Sequence, residues 1–224
     1  MCIRDRLHLT HFLRKQAREF IGISEVQWMV ERLKPFYPAL VEELTPKPLS
    51  LQQLTEILQR LVEEHVSIRD LKSVFQALSQ WARNEQDIPT LAEQVRVALK
   101  EKICHQLTDG RPVLFVYQLD PEIEDMFRNS IRQSAIGPYV AMETDMIERI
   151  MEGAHGEIGS LPATAQRPVI LTDSDIRRFV KRLLDHRFPD VTVLSYEQLS
   201  PKINLQPLGA IALPAPHAEL AAAQ

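Results

Sequence analysis

The chain is short of the residues that usually give a protein an easy chemical identity. Of its 224 residues only two are cysteine and seven are glycine, and aromatics make up 6%. Cys2 and Cys104 stand far apart in sequence, so they read as free thiols rather than a disulfide framework, which suits a reducing cytosol. Cys104 falls on an apolar helical stripe and reads as a small buried hydrophobe. No run approaches the roughly 20 apolar residues that span a bilayer. The opening Met1-Cys2-Ile3-Arg4-Asp5-Arg6 has no apolar core, so no secretory signal is expected, and it fits poorly with the helical sequence from Leu7 onward. Positive charge is not in excess either. The formal net charge is −4, and no global field recruits nucleic acid. There is no internal repeat, no Walker phosphate loop, no G-x-S-x-G elbow, no H-E-x-x-H and no C-x-x-C. These gaps point away from an enzyme, a cofactor and a metal site.

What is present has the composition of an ordinary globular protein, 45% hydrophobic and 25% charged. The first half carries helix signals. Ser24 with Gln27, Ser50 with Gln53 and Thr90 with Glu93 match the capping box, and Ser67 with Asp70 is a weaker variant. Leu51, Leu54, Ile57, Leu58, Leu61 and Val62 form one helical stripe. Ile68, Leu71, Val74, Phe75, Leu78 and Trp81 form a second, and Leu91, Val95, Leu99 and Ile103 a third. Short connections favour packed neighbours.

The character changes at Asp109-Gly110-Arg111-Pro112. Val113–Val116 reads as a strand, and Asp120-Pro121 as a helix start with proline at its first position. A helix over Glu122–Ser134 is expected to carry Ile123, Met126, Phe127 and Ile131 on one face, broken by Gly137-Pro138. Thr144–Met151 reads as another helix, with Gly153, Gly156 and Gly159 marking a loose exit. Pro168–Leu171, Ile176–Leu184 and Val191–Leu194 then read as strand, helix, strand, a crossover unit of a parallel sheet. Its first turn, Asp173-Ser174-Asp175, is acidic and lacks the glycines of a phosphate cradle, so the unit suits presenting a surface. The expected fold is α/β overall: an all-helical subdomain, then a small α/β subdomain whose mostly parallel sheet is flanked by helices. The expected boundaries are a non-native or disordered head at 1–6, the helical subdomain at 7–108, the α/β subdomain at 109–212 and a disordered tail at 213–224.

Several charged groups invite a functional reading. His8 and His11 are three apart on a helix, yet without further ligands they make a poor zinc site. Glu122, Glu124 and Asp125 sit in a first helical turn, where the helix dipole explains them, and Asp173 and Asp175 flank a helix start in the same way. Arg177, Arg178, Lys181 and Arg182 are spaced to spread positive charge over one broad helical face. That face is either simply solvated or a docking surface for an acidic protein partner.

The motif blocks carry a resemblance. LHLTHFLRKQAREFIGISE (residues 7–25), LSLQQLTEILQRLVEEHVSIRDLKSVFQAL (49–78), VRVALKEKIC (95–104), RPVILTDSDIRRFVKRLL (167–184) and VTVLSYEQLSPKINLQPLG (191–209) together resemble the cytoplasmic region of the type III secretion export-gate family. That family includes the flagellar export gate and the major export apparatus protein of injectisomes, and the ending is closer to the injectisome branch. The resemblance covers about residues 7–212. It implies the last two of four cytoplasmic subdomains of an inner-membrane parent, with the membrane portion missing. It further implies a helical subdomain that builds a homo-oligomeric ring. The C-terminal subdomain would shape a cleft for chaperone–substrate complexes, a gatekeeper protein and other export-apparatus proteins. It implies no nucleic acid and no direct membrane contact. The rival reading is a freestanding α/β regulatory or ligand-binding domain with a helical appendage and a pocket near Gln118, Thr172 or Ser195.

Overall fold

A computed structural model describes residues 16–135, 137–159 and 168–214. The expected head at 1–6, Cys2, His8 and His11 lie outside the described residues, as does the tail from 215 on. Two compact units divide the chain between Ile103 and Cys104, inside a helix rather than at the Asp109–Pro112 turn.

The first unit is helical. After one 3-10 turn at Ala17–Phe20 come α1 (Ile23–Leu33), α2 (Pro38–Leu44), α3 (Leu51–Glu63), α4 (Leu71–Trp81) and α5 (Ile88–Ala98). The start of α6 (Lys100–Thr108) completes it. The capping box expected at Ser50 and Gln53 forms as written. Ser50 Oγ accepts from the Gln53 N–H at 3.2 Å, and Gln53 Oε1 accepts from the Ser50 N–H at 2.9 Å. The other helices start on neighbouring residues instead. Glu25 reaches back to the Gly22 N–H at 3.0 Å, so α1 begins before Ser24. Asp70 caps α4 by accepting from the Ser73 N–H at 3.1 Å. Asp87 caps α5 by accepting from the N–H and hydroxyl of Thr90 at 3.1 and 2.6 Å. An aspartate caps as well as a serine or threonine, so the stretches before α4 and α5 each held two overlapping start signals and the acidic one won.

The three stripes turn inward as their spacing dictates. Leu54, Ile57, Leu58 and Leu61 of α3 are buried, with Val74, Phe75 and Leu78 of α4 and Leu91 and Val95 of α5. Each such side chain stabilises the fold by about 1.5–3 kcal/mol on transfer grounds. Trp81, expected on the α4 stripe, is instead largely exposed at the helix end. Arg96 on α5 is buried and makes an ion contact with Glu64, at the C-terminus of α3, at 3.1 Å.

The second unit carries the sheet. Its elements are β1 (Val113–Leu119), α7 (Pro121–Ser130), β2 (Ile131–Ser134), β3 (Gly137–Val140), α8 (Thr144–Ile158), β4 (Val169–Thr172), α9 (Arg177–Leu184), β5 (Thr192–Ser195) and β6 (Asn204–Ile211). Four strands lie in the order β5-β4-β1-β6, every neighbouring pair parallel. Asp120 caps α7 through the Glu122 N–H at 2.9 Å, with Pro121 at the first position, as expected. Two expectations fail here. The helix after Asp120 ends at Ser130, and Ile131–Ser134 pairs antiparallel with Gly137–Val140 as a hairpin. Gly153 and Gly156 lie inside α8, which runs on to Ile158. Asn204–Ile211 adds a strand that the sequence reading did not place.

β6 contains Pro207 because it is an edge strand. The Asn204 N–H donates to the Pro112 carbonyl at 2.8 Å, and backbone groups alternate sides from there. That alternation turns Pro207 outward, where its missing N–H costs no ladder bond. Leu208 is then an extra residue: Val116 pairs with Pro207 and Tyr117 with Gly209. The bulge and the proline together leave an edge that is a poor template for another strand. The core under the sheet gathers Tyr117, Ile123, Phe127, Ile150, Ile170 and Val193, among others.

Candidate functional site

The basic helix α9 is where sequence placed a docking face, and the structure splits that face in two. Arg177 is fully buried. Its Nη1 donates to the Val193 carbonyl of β5 at 3.1 Å. Lys181 is buried too, its Nζ donating to Asp185 Oδ1 at 2.6 Å and to the Val191 carbonyl at 2.8 Å. The broad solvated face is therefore corrected. Positions 177, 181 and 184 recur at helical spacing, and Leu184 on that stripe is core, so the stripe faces the sheet. The aliphatic stems of Arg177 and Lys181 pack while their charged heads reach backbone carbonyls. Arg178 is half-buried, its guanidinium 5.0 Å from the Phe179 ring centroid, and Arg182 is exposed. Only these two of the four candidates can meet a partner from the surface. His186 and Arg187, just past α9, are exposed as well.

A second charged centre sits at the carboxyl end of β4, and sequence did not assemble it. Arg128, near the end of α7, meets four carboxylates. Its Nη1 donates to Asp125 at 2.8 Å, its Nε to Asp175 at 3.0 Å and its Nη2 to Glu124 at 3.4 Å, and it also pairs with Asp173. Burial works against the charged guanidinium. Its hydrogen bonds to Asp175 and Asp125 and the charges of Asp175 and Asp173 outweigh that and push its pKa above the ordinary arginine value. Glu124 completes the join: its Oε1 accepts from Thr172 Oγ1 at 2.8 Å and from the Asp173 N–H at 3.1 Å. Helix-dipole reasoning covered each acid singly and missed the cluster, because nothing local links residue 128 to residues 173 and 175.

The residues named for a rival ligand pocket are accounted for. Thr172 is engaged with Glu124, and Ser195, its register partner on β5, is buried with an Oγ that meets no partner among the described residues. Gln118 is exposed on β1. Cys104 is buried as expected: its Sγ lies 3.6 Å from the Gln198 carbonyl and accepts from the Ser200 N–H at 3.4 Å. Among the described residues, no group of three or more His, Cys, Asp or Glu is placed to hold a metal ion, and no helix is long and apolar enough to cross a membrane.

The helical unit shows a third feature. Phe20, Ile23, Trp28 and Phe36 are exposed, Phe36 at 77%. Trp28 keeps Arg32 over its ring at 4.6 Å. For Ile23 and Trp28 the available signal was their position off the buried side of α1, where only Val26 is fully inside. Four large apolar side chains exposed within residues 20–36 make this segment a candidate contact site.

Comparison with known proteins gives consistent matches. The model of the FHIPEP family matches residues 6–204. "Low calcium response locus protein D" of Yersinia pestis is 39% identical over 206 residues, covering 92% of this chain and 29% of that protein. The Chlamydia pneumoniae CdsV protein, solved in complex with CdsO, is 43% identical with a TM-score of 0.87, over 92% of this chain and 60% of that one. The nonameric EscV cytosolic domain from the type III secretion system is 37% identical with a TM-score of 0.76, over 88% of this chain and 57% of that one. The chain thus spans under a third of the curated relative's length.

Proposed function

Because the chain belongs to the FHIPEP family, with injectisome-type members among its relatives, we propose that it is part of a type III secretion export-apparatus subunit acting in assembly and docking rather than catalysis. The helical unit contributes to a homo-oligomeric ring at the cytoplasmic face of the bacterial inner membrane. The α/β unit helps receive chaperone–substrate complexes, a gatekeeper protein and other export-apparatus proteins. The observation that carries this reading is the exposed apolar group Phe20, Ile23, Trp28 and Phe36 on a unit whose relative EscV was solved as a nonamer. The complex of CdsV with CdsO supports a protein partner as the docked species.

Sedimentation velocity over a concentration series tests the ring contact. The chain is expected to self-associate as concentration rises. Phe20→Ser with Trp28→Ser is expected to stay monomeric while its thermal melt is unchanged, since both side chains already face solvent. A chain and variant that sediment alike at every concentration would remove this surface from the ring.

The docking surface on α9 is carried by Arg178 and Arg182, which suit an acidic partner. Pull-down of secretion chaperones by the chain should weaken severalfold in Arg178→Glu with Arg182→Glu, and more so at low salt, where steering is strongest. Equal capture by the variant would sink the α9 face.

A further inference from the structure

We propose that Arg128 is the catch of a salt-labile latch that holds the β4–α9 turn against α7 and so sets how readily the turn that starts α9 opens. The charge count makes the device asymmetric. One guanidinium holds Glu124 and Asp125 of its own helix and Asp173 and Asp175 of the turn, so among the described residues four mutually repelling carboxylates share one cation. Glu197, bonded through Ser174 Oγ at 3.2 Å, adds a further acid next to the turn. With Arg128 withdrawn, repulsion alone would drive Asp173 and Asp175 away from α7.

Apart from the burial of Ile176 and Arg177, the latter bonded to the Val193 carbonyl, α9 has no cap to hold its start. It is eight residues long, below the length at which a helix is stable by itself. Its N-cap position is Ile176, whose side chain makes no capping bond. The first turn closes through the Arg177 N–H donating to the Asp173 carbonyl at 3.1 Å, so the latched residue is also the residue that starts the helix. The turn's other tie to α7 is Glu124, which bonds the Asp173 N–H and Thr172 hydroxyl and is itself in the Arg128 cluster. Asp125 and Asp175 are more than half exposed, so their pairs are open to screening. Releasing the latch loosens the turn at 173–175 and weakens the bond from the Arg177 N–H to the Asp173 carbonyl, while the buried side chains of Ile176 and Arg177 keep the helix on the sheet and β4 and β5 stay paired beneath. The latch stands whether or not α9 docks a partner.

Hydrogen exchange of the whole chain, corrected for intrinsic exchange rates, is the test. Amides of 173–178 are expected to exchange about three- to tenfold faster at molar salt than at low salt, the range for an exposed ion-pair network worth about 1 kcal/mol. Strand amides of β4 and β5 should stay protected throughout. Arg128→Gln should show the fast rate already at low salt and lose the salt response. Asp175→Asn, a milder change that keeps the fold if Arg128→Gln does not, should sit between the two. A salt-independent rate at 173–178 in the wild-type chain overturns the latch. So does a folded Arg128→Gln or Asp175→Asn chain whose turn is as protected as wild type.

Discussion

Arg177→Glu and Lys181→Glu each unfold the α/β unit, while Arg178→Glu and Arg182→Glu lower its melting temperature far less. This is the expected result of reversing charge along one helix, and its sharpness comes from burial. The Arg177 guanidinium is sealed against β5 and donates to the Val193 carbonyl. Removing one partner of a buried charged contact costs about 3–5 kcal/mol, and glutamate in its place aims a carboxylate at a carbonyl oxygen. Lys181 holds Asp185 and the carbonyls of Val191 and Pro189, so it ties the end of α9 to the start of β5. Each charge-assisted bond contributes about 1.5–3 kcal/mol, and a glutamate there would also face Asp185. A domain whose whole stability is about 5–15 kcal/mol does not absorb either loss easily. Arg182 loses little, because it is exposed, and Arg178 loses less than Arg177 or Lys181, because it is only half-buried, over the Phe179 ring. Thermal denaturation followed by circular dichroism separates the two pairs. If Arg177→Glu keeps a wild-type melt, its side chain lies on the surface and the division of α9 is wrong. The practical consequence concerns docking assays: lost binding in an Arg177 or Lys181 variant reports a lost fold.

The same helix shows where sequence reasoning reaches and where it stops. Local signals were legible. Ser50 with Gln53 and Asp120 with Pro121 place helix starts because both partners lie within one turn. The split into a helical half and a parallel-sheet half followed from periodicity and from the motif blocks. Arg177 and Lys181 carry two conflicting signals: side-chain charge argues for water, whereas their spacing with Leu184 argues for the core. Charge dominates when the helix is read alone, and the stripe is the better guide.

Non-local pairing was hidden for a different reason. β6 exists because Asn204–Ile211 finds β1, with Val113 opposite Asn204, and no window along the chain contains both. Its proline and glycine are poor strand formers, and only edge position and the bulge explain them. The Arg128 cluster is similar, joining α7 to a turn more than forty positions later. The hairpin β2–β3 was hidden because Ile131 continues the apolar stripe of α7 in register, so helix periodicity ran on past the true end at Ser130.

Two glycines of α8 are expected to respond to alanine with opposite signs. Alanine is the better helix former by about 0.8–1 kcal/mol in a helix interior, so propensity alone predicts that both substitutions stabilise. Gly156 follows propensity. A Cβ there meets nothing within 4 Å, and Gly156→Ala should raise stability by up to about 1 kcal/mol. Gly153 does not. Its Cβ would overlap the backbone carbonyl of Ala212, immediately after β6, and would touch Pro214 Cδ at 3.8 Å. A backbone carbonyl cannot swing aside as a flexible side chain can, so α8 or the end of β6 must move. Overpacking of this kind costs about 1–3 kcal/mol, which exceeds the propensity gain. The end of β6 also holds the carboxyl end of β1, since the Asp120 N–H donates to the Ile211 carbonyl at 3.0 Å, so the strain reaches the N-cap of α7. Urea denaturation with a constant slope should place Gly153→Ala below the wild-type midpoint and Gly156→Ala above it. Midpoints that both rise would mean that α8 and the residues after β6 are not in close contact, and that the glycine at 153 reflects no packing constraint.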